Sequence, residues 1–225
     1  KNEALKLIKK YFGEHKRSEN DPPEMYTEEP KQEGPRRITV KRAGQTGVVG
    51  VGHKTPKGLH KDNYALQLLG KILTDGKTSR FNKNIIDKGL ATSVFMYDFP
   101  FKDNGMFISY IFLTPDTNHQ TVEDLVIDEY KSIINSGVTT EELRRAIAQT
   151  KAGVAFSRDG SYAVASALNE AIAIGDWTYY TTFMECIDIV SESKIQEAAE
   201  KYLIEDNSTT GWFVPKKVEA TQDAV

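Results

Sequence analysis

Only one cysteine, Cys186, occurs in the 225 residues, so no disulfide can close within the chain and the redox compartment is left open. Its helical surroundings mark it as a small core residue. Long apolar runs are missing, and a bilayer-crossing helix needs about 20 apolar residues in a row, so no membrane span is expected. Charge of one sign is missing too: 29 Lys and Arg against 32 Asp and Glu give a net charge of −3, interspersed, which argues against a nucleic-acid surface. Histidine is scarce. None of His15, His53, His60 and His119 has a second ligand-type residue at helical spacing in its own element, so no metal pair can be read. His53 and His60 read as polar edge or loop residues. No Gly-x-Ser-x-Gly elbow is present, which removes that class of serine hydrolase. Glu141, Glu142, Glu197 and Glu200 read as solvated helix faces. Residue chemistry alone yields no catalytic constellation.

The first residues, NEALKLIKKYFG, read as the end of an amphipathic helix, with Leu5, Ile8 and Phe12 at helical spacing. A chain that opens on the end of a helix is expected to be a segment of a longer one, so any targeting signal would lie upstream and localisation is not readable. Residues 13–35 hold four of the eight prolines and no repeating apolar face, which predicts a connector. RRITVKR and TGVVGVGHK follow as strands, expected to pair as a hairpin across AGQ, with Ile38 and Val40 on one side.

A helix is predicted over Asp62–Leu73, capped by Asp62, with Ala65, Leu68, Leu69 and Ile72 as its buried stripe and Leu66 and Leu73 widening it. A second helix is expected over Ser79–Asp87, ended by Gly89. LATSVFMYDF and GMFISYIFL then form a hairpin. Helices follow. One closes at Gly137, and the next opens with a Thr139–Glu142 capping box. SYAVASALNEAIAIGD is a small-residue helix suited to close packing. STTGWFVP is a final strand. This order predicts an α+β fold: an antiparallel sheet built from hairpins, with helices packed on one face.

The stretch GKILTDGKTSR ends in the Gly-Lys-Thr of a nucleotide-binding loop. Five residues separate Gly70 from Gly76, where the phosphate loop has four, and the preceding segment is a helix instead of a strand. It reads better as a helix–helix connection, with Gly76 supplying an unusual backbone angle and Thr78 or Ser79 capping the next helix.

An ordered set of features resembles the non-catalytic half of insulinase/pitrilysin-family zinc metallopeptidases. The features are His53–Pro56, Asp62 with Ala65 and Leu66, Gly76 with Ser79, Arg80 and Phe81, then Gly89–Ala91, and later Ile174–Trp177. The active half of that family carries His-x-x-Glu-His on a helix, placing two zinc ligands and a general base on one face. The resemblance puts Tyr64, Gln67 and Leu68 at those positions. Leucine cannot bind zinc and glutamine cannot act as a base. It also implies that an Arg and a Tyr of this half can hold substrate; Ile86 and Thr92 stand there, and only Thr92 offers a hydroxyl. Arg80 reads as a structural arginine.

The expected organisation is therefore the end of a helix from a preceding domain over 1–12, a connector over 13–35, an inactive peptidase-like domain over 36–215 and a tail over 216–225. The resemblance implies no metal or catalytic residue in this segment. It implies zinc in a partner half, on the same chain or on a separate subunit, and a peptide substrate. The alternative is a non-catalytic scaffold or assembly subunit of the same fold with no proteolytic role.

Overall fold

The computed structural model describes residues 1–20 and 30–216. The centre of the expected connector, 21–29, and the expected tail beyond Lys216 lie outside the described residues. The chain divides into two compact units, the second beginning at Gln32. In the first, helix α1 spans Asn2–Phe12, with Glu3 in its first turn and Lys9 and Lys10 in its last, the arrangement that suits the helix dipole. Leu5, Ile8 and Phe12 are all exposed.

The second unit carries β1 (Arg36–Ala43), β2 (Val48–Lys57), α2 (Asp62–Thr74), a π-helical turn (Asn82–Ile86), β3 (Ala91–Phe99) and β4 (Asn104–Leu113). Helices α3 (His119–Ser136), α4 (Thr140–Ser157), α5 (Ser161–Ile174), α6 (Thr178–Asp188) and α7 (Glu192–Tyr202) follow, and β5 (Ser208–Lys216) ends it. The five strands lie in the order β1-β5-β2-β4-β3. The fold class is α+β, as the order of elements implies.

Two expectations about the sheet are corrected. β1 and β2 do not form a hairpin, and the sheet is not wholly antiparallel, because β5 lies between them, parallel to β1 and antiparallel to β2. Long-range contacts outweigh the short loop. Arg37 of β1 and the indole Nε1 of Trp212 in β5 both donate to the carboxylate of Glu123 on α3, and the Arg37 guanidinium lies 5.0 Å over the Trp212 ring. Gly44 leaves room for the Phe213 ring, which a Cβ there would meet at 2.8 Å. β1 is thus an exposed edge, and Ile38 and Val40 face solvent.

β3 and β4 do pair as a hairpin. Along β4, Phe107, Ser109, Ile111 and Leu113 are buried, while Met106, Ile108, Tyr110 and Phe112 alternate with them on the more open face. The buried face meets the α2 stripe: Leu66, Leu68, Leu69, Ile72 and Leu73 are all fully buried, each stabilising the fold by roughly 1.5–3 kcal/mol relative to exposure. Phe81, immediately before the π-helical turn, and Ile85 within it join the same core.

Local signals hold in part. Gly76, Gly89 and Gly137 adopt positive φ as their positions after helices require, and Thr139 and Glu142 form the reciprocal cap of α4. Asp62 does not cap α2. Its carboxylate instead accepts from the Tyr202 hydroxyl at 2.8 Å and from Lys201 Nζ at 3.1 Å, which ties α2 to α7. Neither Thr78 nor Ser79 caps the next element: the Ser79 hydroxyl is buried without a partner among the described residues, and an isolated π-helical turn replaces the expected helix. α5 does not pack closely: of its residues only Ala171 is buried, and Tyr162 is 85% exposed.

Candidate functional site

Helix α2 places Tyr64, Gln67 and Leu68 at i, i+3 and i+4, neighbours on one side of the helix. They do not share an environment. Leu68 is fully buried in the core. Tyr64 is half-buried and stacks on Tyr179 of α6, centroids 5.8 Å apart at 17°, with Phe183 5.9 Å away. Gln67 Nε2 donates to the Tyr179 hydroxyl at 2.9 Å. Burial pushes the Tyr179 phenol up to about 12.

This cluster borders a cavity of about 480 Å³ between α2, β3, α4, α5 and α6. Gly70, Met96, Phe107, Ala171, Ile174 and Phe183 give it apolar walls. Gly70 keeps α2 thin there: a Cβ would meet Met96 at 3.3 Å and Phe107 at 3.6 Å. Asp98 reaches the cavity from β3. Both its oxygens are buried and neither has a hydrogen-bond partner among the described residues. Burial raises its carboxyl to about 7, with the Gln67 amide offsetting part of that rise. Sequence reasoning missed Asp98. The signal was the period-2 alternation of β3, which puts Val94, Met96 and Asp98 on the helical side and Phe95, Tyr97 and Phe99 on the open side.

The other candidate residues lie apart from this cavity. Thr92 is exposed at the start of the edge strand β3 and its hydroxyl donates to the Phe112 carbonyl at 3.2 Å. Ile86 is half-buried at the end of the π-helical turn. His53 is not an edge residue: it lies within β2 between Phe107 and Ser208, 3% exposed, edge-on to Tyr130. Burial lowers its imidazole to about 4. His60 accepts from the Asp62 N–H at 3.2 Å. Cys186 is half-buried on α6.

Arg80 is structural. Its guanidinium donates to Glu142 at 2.7 and 2.9 Å, to Glu129 at 2.9 Å and to the Gly137 carbonyl at 3.2 Å. Glu142 is therefore not part of a solvated face. Burial would raise its carboxyl, but Arg80 and the Thr139 N–H outweigh it and hold the group at about 2. Residues 70–74 are the end of α2 and Gly76-Lys77-Thr78 lies in the turn after it, with Lys71 paired to Asp75 at 2.9 Å. No group of three or more His, Cys, Asp and Glu among the described residues is placed to hold a metal ion. No helix among them is long and apolar enough to cross a membrane.

Residues 1–150 match the family model described as the peptidase M16 inactive domain. The chain is 26% identical over 215 residues to the zinc protease PqqE of Helicobacter pylori, covering 94% of this chain and 48% of that protein. It therefore spans about half the length of that relative. Among solved structures, a protease from Helicobacter pylori superposes with a TM-score of 0.88 at 26% identity, over 95% of this chain and 52% of that one. A peptidase M16 inactive domain from Pseudomonas fluorescens shares the fold, with a TM-score of 0.73 at 18% identity over 88% of this chain and 47% of that one.

Proposed function

The chain belongs to the peptidase M16 inactive-domain family, and from that premise we propose that it is the non-catalytic half of a zinc metallopeptidase, pairing with a zinc-bearing half of the same fold to enclose a substrate chamber. The observation that carries this reading is Leu68. Where the active half of the family would present an imidazole, this chain has a hydrocarbon side chain with no exposed surface. Beside it, Gln67 stands where the general base would be, and its amide is committed to the Tyr179 hydroxyl. An amide holds no proton-accepting pair of the required basicity, so this face cannot activate water.

What this half can supply is surface. β3 is an edge strand, and its backbone can accept an extended peptide by strand addition. Phe95, Tyr97 and Phe99 form a stacked row on its open side, with centroid separations of 6.4 and 5.7 Å. Thr92 stands at the start of the same strand, where its hydroxyl can still accept a hydrogen bond from a passing peptide amide. Zinc, on this reading, is held by the partner half, whether on the same polypeptide or on a separate subunit.

The test is reconstitution. Metal analysis and a quenched-peptide assay are run on the chain alone and on the chain mixed with its zinc-bearing half. The expected result is no stoichiometric zinc and no cleavage alone, a stable complex on mixing, and chelator-sensitive cleavage only in the complex. One tightly held zinc per chain, lost on His53→Ala or His60→Ala, would overturn the reading, as would full activity of the zinc half without this chain.

A further inference from the structure

The cavity beside α2 pairs apolar walls with a single inward carboxylate. Asp98 brings two buried oxygens to it, and neither finds a donor among the described residues. A buried acceptor without a donor costs on the order of 1–3 kcal/mol, more when it is charged, so a fold keeps one only where something compensates. The two cations in the lining are engaged elsewhere. Lys71 Nζ pairs with Asp75 at 2.9 Å, and the Arg158 guanidinium lies 4.8 Å over the Tyr180 ring and donates to the Tyr180 carbonyl at 3.4 Å. The remaining charged lining residue, Glu170, is exposed and adds negative charge at the mouth.

The Gln67 amide donates one N–H to Tyr179; its second N–H moderates the Asp98 carboxyl from nearby but is not within hydrogen-bonding geometry of either oxygen. A ligand complementary to this arrangement has an apolar stem several carbons long and a cationic head. The stem would lie along Met96, Phe107 and Ile174, and the head would meet Asp98. We propose that this cavity is a binding site for an aliphatic cation, the ammonium or guanidinium group of a lysine or arginine side chain or of a small free amine. The inference rests on Asp98 and its walls and does not require a zinc-bearing partner. Binding of a cation favours the ionised carboxylate, so a proton leaves Asp98 as the cation enters.

Calorimetry and NMR titration of the whole chain at pH 7.5 test it. The probes are Nα-acetyl-lysine methylamide, Nα-acetyl-arginine methylamide, n-butylammonium and agmatine, with Nα-acetyl-norleucine methylamide and n-butanol as neutral counterparts. Saturable binding of the cationic probes is expected, at least about tenfold tighter than their neutral counterparts, with shifts confined to residues lining the cavity. Tighter binding of the blocked amino acids assigns the site to a peptide side chain, and tighter binding of the bare amines assigns it to a free amine. Asp98→Asn keeps the shape and removes the charge. It should weaken the cations about tenfold and leave the neutral probes unchanged, while circular dichroism confirms that it folds. Equal binding of charged and neutral probes, no saturation by the cations, or unchanged affinity in Asp98→Asn each overturns the proposal.

Discussion

Gln67 and Tyr179 are joined by a hydrogen bond of 2.9 Å that ties α2 to α6 across 112 positions of sequence. The same amide offsets part of the rise of the Asp98 carboxyl. Gln67, which the proposed reading places at the general-base position, serves here as a neutral strut. Gln67→Glu puts a second carboxylate beside Asp98 in a site where burial already penalises the first, and like charges there disfavour one another. The expected outcome is no gain of zinc or peptidase activity and a loss of about 1–3 kcal/mol at pH 7.5, read as a fall in Tm of several degrees. Tyr179→Phe, which removes only the acceptor, should cost about 1 kcal/mol. A Gln67→Glu variant as stable as the parent at pH 7.5 would show that the strut carries no load.

Asp98 makes a prediction with a definite sign. Its folded carboxyl is raised from 3.8 to about 7, so the unfolded chain releases this proton more readily. The group's favourable contribution is present below pH 3.8 and is lost as pH rises through 7. Asp98→Asn should therefore be more stable than the parent at pH 8, by on the order of 4 kcal/mol, and equal to it near pH 4. Urea unfolding of both proteins at the two pH values checks this. A gain that is the same at pH 4 and pH 8 would mean that packing, not ionisation, distinguishes them.

The parts of this fold that can be read from sequence are those whose causes are local. The α2 stripe is legible because Ala65, Leu68, Leu69 and Ile72 recur at helical spacing, and all are buried. Thr139 and Glu142 lie three residues apart, and the capping box between them forms. Gly76 and Gly89 follow helical segments and take positive φ. The insertion of β5 between β1 and β2 has no local cause. It depends on Arg37 and Trp212 meeting at Glu123, residues 86 and 89 positions from it. Asp62 looks like a cap until α7 brings Tyr202 to it, 140 positions later. The Asp98 cavity is of the same kind. Alternation along β3 aims Asp98 inward, but α2, α5 and α6 build the walls that make it a site.

His53 predicts an acid-sensitive core. Its imidazole is buried beside Tyr130, its Nδ1 has no partner among the described residues, and its folded value is lowered from 6.5 to about 4. The neutral ring is fully favoured above pH 6.5, and its contribution is lost as pH falls through 4. That loss amounts to about 3 kcal/mol. The difference in unfolding free energy between the parent and His53→Leu, followed from pH 7.5 to pH 4, should shift toward the variant by that amount. A pH-independent difference would place the acid sensitivity elsewhere.

Arg80 makes four side-chain hydrogen bonds, and its removal should be costly for a reason that pH can expose. It is 16% exposed on its side chain, between Glu142 at 17% and Glu129 at 11%, and also holds the Gly137 carbonyl at the end of α3. Arg80→Met keeps the stem but leaves two half-buried carboxylates facing each other. Breaking such a pair from one side costs about 3 kcal/mol or more, and about 10 °C in Tm for a chain of this size. Glu142 is held near 2 in the folded chain, so the pair's contribution is complete above pH 4.5 and fades as pH falls toward 2. The gap between parent and Arg80→Met should therefore be wide at pH 6 and narrow below pH 4.5. Glu142→Gln in the Arg80→Met background should recover part of the loss at pH 6, because it relieves the repulsion with Glu129 while the Thr139 side-chain cap on the Glu142 N–H remains. A gap that stays constant with pH would mean that the guanidinium acts through packing and its bond to Gly137, with the two carboxylates as bystanders.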